Sequence, residues 1–223
     1  MKFVEYADAE MMMMDLANKI AGELRQALHN NDRVSLAVPG GTTPGPIFDD
    51  LSGVDLAWDR VDVMLTDERW VPESSDRSNT RLLRQRLLQG KAAAATLIPL
   101  YADTDTPEQS LDALAEGLKP TLPLSVVLLG MGADMHTASI FPGADRLHDA
   151  LTGNDLLYAM RAPGAPEPRI TLSAKVLNDA MNVHIVITGT EKRAALERAA
   201  SLTPEMAPVA AVLPNATVHW AES

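Results

Sequence analysis

A doubly wound α/β fold is what this sequence predicts: a mainly parallel, Rossmann-like sheet with helices on both faces and a few extra short strands. Three observations carry that expectation. Val126–Leu129 is apolar on both faces, as a strand covered by helices on both sides must be. Further short apolar runs, at Arg33–Val38, Val61–Leu65 and Val183–Thr188, alternate with stretches whose apolar residues recur every three or four positions. That alternation joins parallel strands through helical crossovers.

Taken in order, Lys2–Tyr6 alternates and reads as a short strand. Ala7–Leu28 reads as a helix, with Leu16, Ile20, Leu24 and Leu28 at helical spacing. Met11–Met14 lie inside it and read as adaptable core packing. His29–Asp32 is a turn by composition. The strand Arg33–Val38 runs into Pro39–Gly45 and a helix at Pro46–Leu51, and the strand Val61–Leu65 runs into Thr66–Pro72. Glu73–Asn79 is loop-like, and Thr80–Leu88 a helix with Arg81, Arg84 and Arg86 on a solvated face. Lys91–Ala95 reads as a linker and Leu97–Leu100 as a short strand. Pro107–Leu118 reads as a helix that Thr106 caps and Pro107 opens. Asp155–Met160 is a strand and Ala162–Pro168 a stiff loop. A helix is expected at Ala174–Asp179 and another up to Ala200. Val209–Leu213 and Thr217–Trp220 both look strand-like.

The 223 residues, without a clear interdomain linker, are expected to form a single α/β domain spanning 1–223. No apolar run approaches 18 residues, so no membrane span is expected. The start Met1–Glu5 lacks the basic and apolar segments of a secretory signal, which makes the cytoplasm the expected location. Cysteine is absent, which excludes disulfides and thiolate metal sites. A net charge of −11 makes nucleic acid and anionic membranes poor partners. An anionic substrate would have to be held by a few local cations. Either a monomer or a small homo-oligomer fits.

Four strand ends carry the chemistry. Gly40-Gly41-Thr42 follow a strand and precede a helix with early proline. Exposed N–H groups, a hydroxyl and the helix dipole make that an anion-binding arrangement. It is neither a Walker loop nor a Gly-x-Gly-x-x-Gly dinucleotide turn. Asp67 and Arg69 end the next strand; Arg69 suits a carboxylate, a phosphate or a developing oxyanion, or pairs internally with Asp67 or Glu68. Asp134 and His136 lie in the Gly130–Gly132 loop. There a carboxylate can orient an imidazole suited to proton transfer near neutral pH. Lys192 falls in the first turn of a helix after Gly189, where the dipole disfavours a cation unless it grips an anion. In a parallel sheet all four ends share one edge, the edge where ligands bind.

Gly40-Gly41-Thr42-Thr43-Pro44, Thr66-Asp67-Glu68-Arg69-Trp70-Val71-Pro72, Gly130 through Pro142, Arg169-Ile170-Thr171 and Gly189-Thr190-Glu191-Lys192 together resemble the successive motifs of the 6-phosphogluconolactonases. That family is related in fold to glucosamine-6-phosphate deaminases. Met135 stands where the family often has Gly, and Pro39 where Ser is frequent. The resemblance implies a phosphorylated sugar lactone, 6-phospho-D-glucono-1,5-lactone, as substrate, in the oxidative pentose phosphate pathway. It implies His136 as general base, Asp134 as its orienter and Arg69 against the developing charge. Gly40, Gly41, Thr42, Asp67, Arg169 and Lys192 would then bind the substrate and its phosphate. Nothing in the sequence calls for a metal or an organic cofactor. An isomerase or deaminase on the same fold is the alternative, and a sensor without catalysis a more distant one. Ser139 lacks the Gly-x-Ser-x-Gly turn of a nucleophilic serine.

Overall fold

Every apolar run read as a strand, save Val209–Leu213 and most of Leu97–Leu100, lies in a ladder of the computed structural model, which describes all 223 residues. The strands are β1 (Lys2–Glu5), β2 (Val34–Val38), β3 (Val61–Leu65), β4 (Asp67–Arg69), β5 (Thr96–Leu97), β6 (Val126–Gly130), β7 (Leu157–Met160), β8 (Arg169–Leu172), β9 (Asn182–Thr188) and β10 (Ala216–Ala221). The helices are α1 (Ala9–Leu28), α2 (Gly45–Gly53), α3 (Asn79–Arg86), α4 (Leu111–Leu118), α5 (Leu147–Thr152), α6 (Ala174–Asn178) and α7 (Thr190–Ala199). Seven strands form one parallel sheet in the order β1-β10-β9-β6-β2-β3-β5. All five residues of β2 and of β3 are buried, which explains why these strands show no polar face. From β2 the chain builds outward through β3 to β5, then returns to β6 on the other side. The β2–β6 boundary is therefore a switch point of strand order, where a crevice opens at the carboxyl ends.

Helix α1 begins at Asp8, whose side chain accepts from Met11 N at 2.7 Å. Its stripe from Met12 to Leu24 is buried, and a fully buried Leu16 contributes about 2 kcal/mol. The methionine run divides by helical geometry: Met12 and Met13 face the core, whereas Met11 and Met14 are exposed. One cluster of 57 buried apolar residues runs through the molecule. No helix is long and apolar enough to cross a membrane.

A second sheet, antiparallel in the order β4-β8-β7, goes beyond the few short strands read from the sequence. Thr66 is its hinge. Its N–H donates to Val38 O and its C=O accepts from Leu172 N, each at 2.9 Å, so the chain crosses from one sheet to the other in a single residue. Arg69 thus belongs to a strand of its own, opposite Arg169, rather than to the end of β3.

Other elements differ in detail. Val209–Leu213 is no strand: Pro208–Ala211 and Leu213–Asn215 are 3-10 turns. Pro208 and Pro214 lack the N–H a ladder needs, and Val209, Val212 and Leu213 are buried without one. The strand expected at Leu97–Leu100 shrinks to β5 because Pro99 stops it. The helix expected from Pro107 breaks at Ser110 into a 3-10 turn with a Thr106–Gln109 capping box and then α4. Lys91–Ala95, read as a linker, lies largely in the 3-10 turn Gly90–Ala94.

Candidate active site

A cavity of about 310 Å³ opens at the switch point. Every site residue singled out in the sequence lines it except Asp134, which bonds to one that does. The convergence comes from the parallel sheet, which delivers the ends of β2, β6 and β9 to one rim.

The β2 end supplies the glycine loop. Gly41 has φ +86, which a residue without Cβ adopts at no steric cost. A Cβ on Gly40 would fall 2.1 Å from Asn79 Oδ1, so the loop closes only with glycine there. The loop then turns into α2, which has Pro44 at its cap.

The next two charges divide their tasks. Glu68 is fully buried, yet its carboxylate accepts from Arg69 N, Asn79 N, Thr80 N and the Ser78 and Thr80 hydroxyls, all within 3.2 Å. It anchors the start of α3 and does not pair with Arg69. Arg69 instead donates from Nη1 to Arg77 O at 2.7 Å, and its Nε is buried without a partner. Asp67 accepts from Thr66 Oγ1 and Ser139 Oγ and lies 4.0 Å from Arg169 Nη1. Ser139 is thereby committed to Asp67, which leaves it no part as a nucleophile.

Arg169 is only 8 % exposed, and its Nε also lacks a partner. Burial, and then the Arg69 guanidinium across the ladder, push its pKa below the ordinary arginine value. Two neighbouring guanidiniums, each with an unmet donor, make a site that negative charge on a ligand would relieve. Lys192 adds a third cation from the first turn of α7.

His136 lines the same cavity with its side chain 30 % exposed. Nδ1 is 2.5 Å from Asp134 Oδ1, and Nε2 has no protein partner. Burial pushes the Asp134 carboxyl up, but the hydrogen bond and charge of His136 outweigh it and hold it below the usual value. Asp134 also accepts from His136 N at 3.1 Å, so one carboxylate fixes both the loop and the ring. Between them Met135 adopts φ +67, a left-handed conformation costing about 1 kcal/mol for a residue with a side chain. It is held there by hydrogen bonds from Met135 N to Gly132 O and from Val209 N to Met135 O. The apolar C-terminal turns thus brace the loop.

Sequence reasoning gave no role to Asn79 or Phe141 and read Glu68 only as a possible partner of Arg69. Ser78-Asn79-Thr80 carries the signature of a helix start, but not the fact that the helix points at the crevice.

Residues 7–220 match the model of the family described as glucosamine-6-phosphate isomerases/6-phosphogluconolactonase. The 6-phosphogluconolactonase of Rhizobium meliloti (strain 1021) is 41 % identical over 215 residues, 92 % of each chain. That of Pseudomonas aeruginosa is 40 % identical over 210 residues, 92 % of this chain and 88 % of its own. The crystal structure of a 6-phosphogluconolactonase from Shewanella baltica OS155 superposes with a TM-score of 0.96 at 35 % identity, covering 99 % of this chain and 97 % of the other. The aligned length, the identity and the shared architecture agree, and the chain belongs to the glucosamine-6-phosphate isomerase/6-phosphogluconolactonase family.

Proposed function

We propose that the chain hydrolyses 6-phospho-D-glucono-1,5-lactone to 6-phosphogluconate, the lactone-opening step of the oxidative pentose phosphate pathway. The observation that supports this most is the open Nε2 of His136 facing the same cavity as the cations Arg69, Arg169 and Lys192. A lactone with a distant phosphate needs those two features and little else. The names of the relatives point the same way.

In this reading Gly40, Gly41, Thr42, Arg169 and Lys192 hold the phosphate, and Asp67 keeps Arg169 in place. His136 Nε2 takes a proton from water as the hydroxide adds to the lactone carbonyl, and Asp134 holds the ring by Nδ1. Arg69 offsets the charge that develops on the carbonyl oxygen. As the tetrahedral intermediate collapses, the carbon–ring-oxygen bond breaks and the imidazolium returns its proton to the leaving oxygen. A general base of this kind is worth about 10²–10⁴ in rate, and an oxyanion donor roughly 3 kcal/mol more. Lactones already open unaided, so these modest terms suffice.

His136→Ala tests the reading. Lactonase activity should fall by about 10²–10⁴, while the fold and phosphate binding persist. Wild-type turnover in that variant would remove His136 as the base.

A further inference from the structure

Phe141 follows the Asp134–His136 loop, and its ring meets two side chains of the site. Its centroid is 4.3 Å from that of His136, with the planes 31° apart, and the Arg169 guanidinium carbon lies 5.5 Å from the same ring. Gly132 also closes on the imidazole: a Cβ there would fall 2.3 Å from Cε1 and Nδ1. The imidazole is therefore hemmed in by a backbone without a side chain, by an aromatic ring and, at Nδ1, by Asp134.

This enclosure is anchored. Ala138 turns the chain with φ +49, and Ile140 N donates to Thr137 O at 3.0 Å. Ser139 fixes that turn to the second sheet: its N donates to Thr171 Oγ1 at 3.2 Å and its Oγ to Asp67 Oδ2 at 2.6 Å. Phe141 leaves this turn and meets Arg169, a residue of the same sheet. A quadrupolar ring face attracts a guanidinium, and the same ring packs at a tilt against the imidazole, so one side chain spaces both.

We propose that Phe141 is a positioning residue that sets the plane of His136 and the seat of Arg169 together, so that a substrate gripped by its phosphate presents its carbonyl to Nε2. The proposal rests on His136 being the base. Misplacing a reacting group by a fraction of its reach costs about tenfold to a hundredfold in rate.

The test uses Phe141→Leu, Phe141→Met (similar volume, no ring face) and Phe141→Tyr, with His136→Ala alongside. The substrates are the phosphorylated lactone and unphosphorylated gluconolactone, corrected for spontaneous opening. The imidazole Cε1–H signal of His136, one of five histidines, is identified by its loss in His136→Ala. In the Leu and Met variants kcat should fall about tenfold or more on both lactones. KM should rise several-fold on the phosphorylated one only, and the His136 signal should lose the ring-current shift of the neighbouring phenyl. Tyr should restore all three. Loss of folded protein alone would leave KM and the split between lactones untouched. Wild-type kcat, KM and His136 signal in both the Leu and Met variants would overturn the proposal. An equal KM rise on both lactones would overturn its Arg169 half. If His136→Ala is inactive while Phe141→Leu is normal, only the role of Phe141 falls. A fully active His136→Ala overturns the base assignment and, with it, the positioning of that ring.

Discussion

His136 and His184 each sit against a carboxylate, at 2.5 Å from Asp134 and 2.8 Å from Glu23, and the two histidines could hardly be placed more differently. His136 faces a cavity with one ring nitrogen open. His184 is 2 % exposed and belongs to a closed chain: Glu23 to His184, His184 to His219 at 3.0 Å, His219 to Tyr6 at 2.9 Å, and Tyr6 to Asp15 at 2.8 Å. Burial, and then the charge of His184, push His219 from 6.5 down to about 3. In the network every donor is spent, whereas in the cavity the useful atom is the one left over. A histidine–carboxylate pair becomes chemistry or scaffold according to whether its far nitrogen is satisfied.

The sharpest way to break this contrast is to exchange the losses. His136→Ala is expected to cost about 10²–10⁴ in rate with little change in melting temperature. His184→Leu should do the reverse, because it leaves Glu23 and His219 without their buried hydrogen-bond partner. A cost of about 3 kcal/mol lowers Tm by roughly 6–12 °C in a chain of this size. The kcat/KM of the protein that remains folded should stay at wild type. Thermal melts and lactone assays on the same preparations read both. A His184→Leu protein with normal stability and poor turnover would join the two regions that the comparison separates.

Lys192 sharpens the same contrast by a smaller step. Its ammonium sits at the positive end of α7 and makes no ion pair, so it gains nothing for the fold. Lys192→Ala should leave stability unchanged or slightly raised. It should raise KM for the phosphorylated lactone about tenfold or more, the order expected for losing one charge-assisted bond. Unphosphorylated gluconolactone is the control. Equal effects on both substrates would take Lys192 out of the phosphate grip.

The cavity was largely legible in the sequence because its parts are local. A buried strand, a glycine turn and a polar residue after it lie within a dozen positions, and parallel pairing alone gathers the ends. The pairing of Arg69 with Arg169 was not legible, since it needs the second sheet, whose strands come from distant parts of the chain. Met135 was visible as a departure from the family pattern. That it would be held at positive φ by Val209, from a stretch that reads as a strand, was not. The His184 chain was invisible for the same reason. His184 is one residue of a strand, and its partners come from α1 and β10. In both cases the missing information is which distant segment meets the residue, and one-dimensional periodicity does not carry it.

The smallest expected effect is a pH dependence that belongs to the scaffold alone. His219 is neutral in the fold down to about 3 and takes a proton at 6.5 when exposed. Below pH 6.5 the unfolded chain therefore binds a proton that the native one refuses. The contribution is complete above 6.5 and is lost as pH falls from there toward 3, at most about 1.4 kcal/mol per pH unit. Facing His219 are His184, Tyr6, Asp15, Lys19 and Lys2, with Glu23 beyond His184. His219→Asn separates the terms, because the amide can still donate toward Tyr6 but does not titrate. Between pH 6.5 and 5 the wild-type protein should lose about 1–2 kcal/mol more than His219→Asn, measured by urea unfolding at each pH. Parallel curves for the two proteins would mean that His219 takes its proton inside the fold, and that the network under α1 is as open to protons as the cavity at His136.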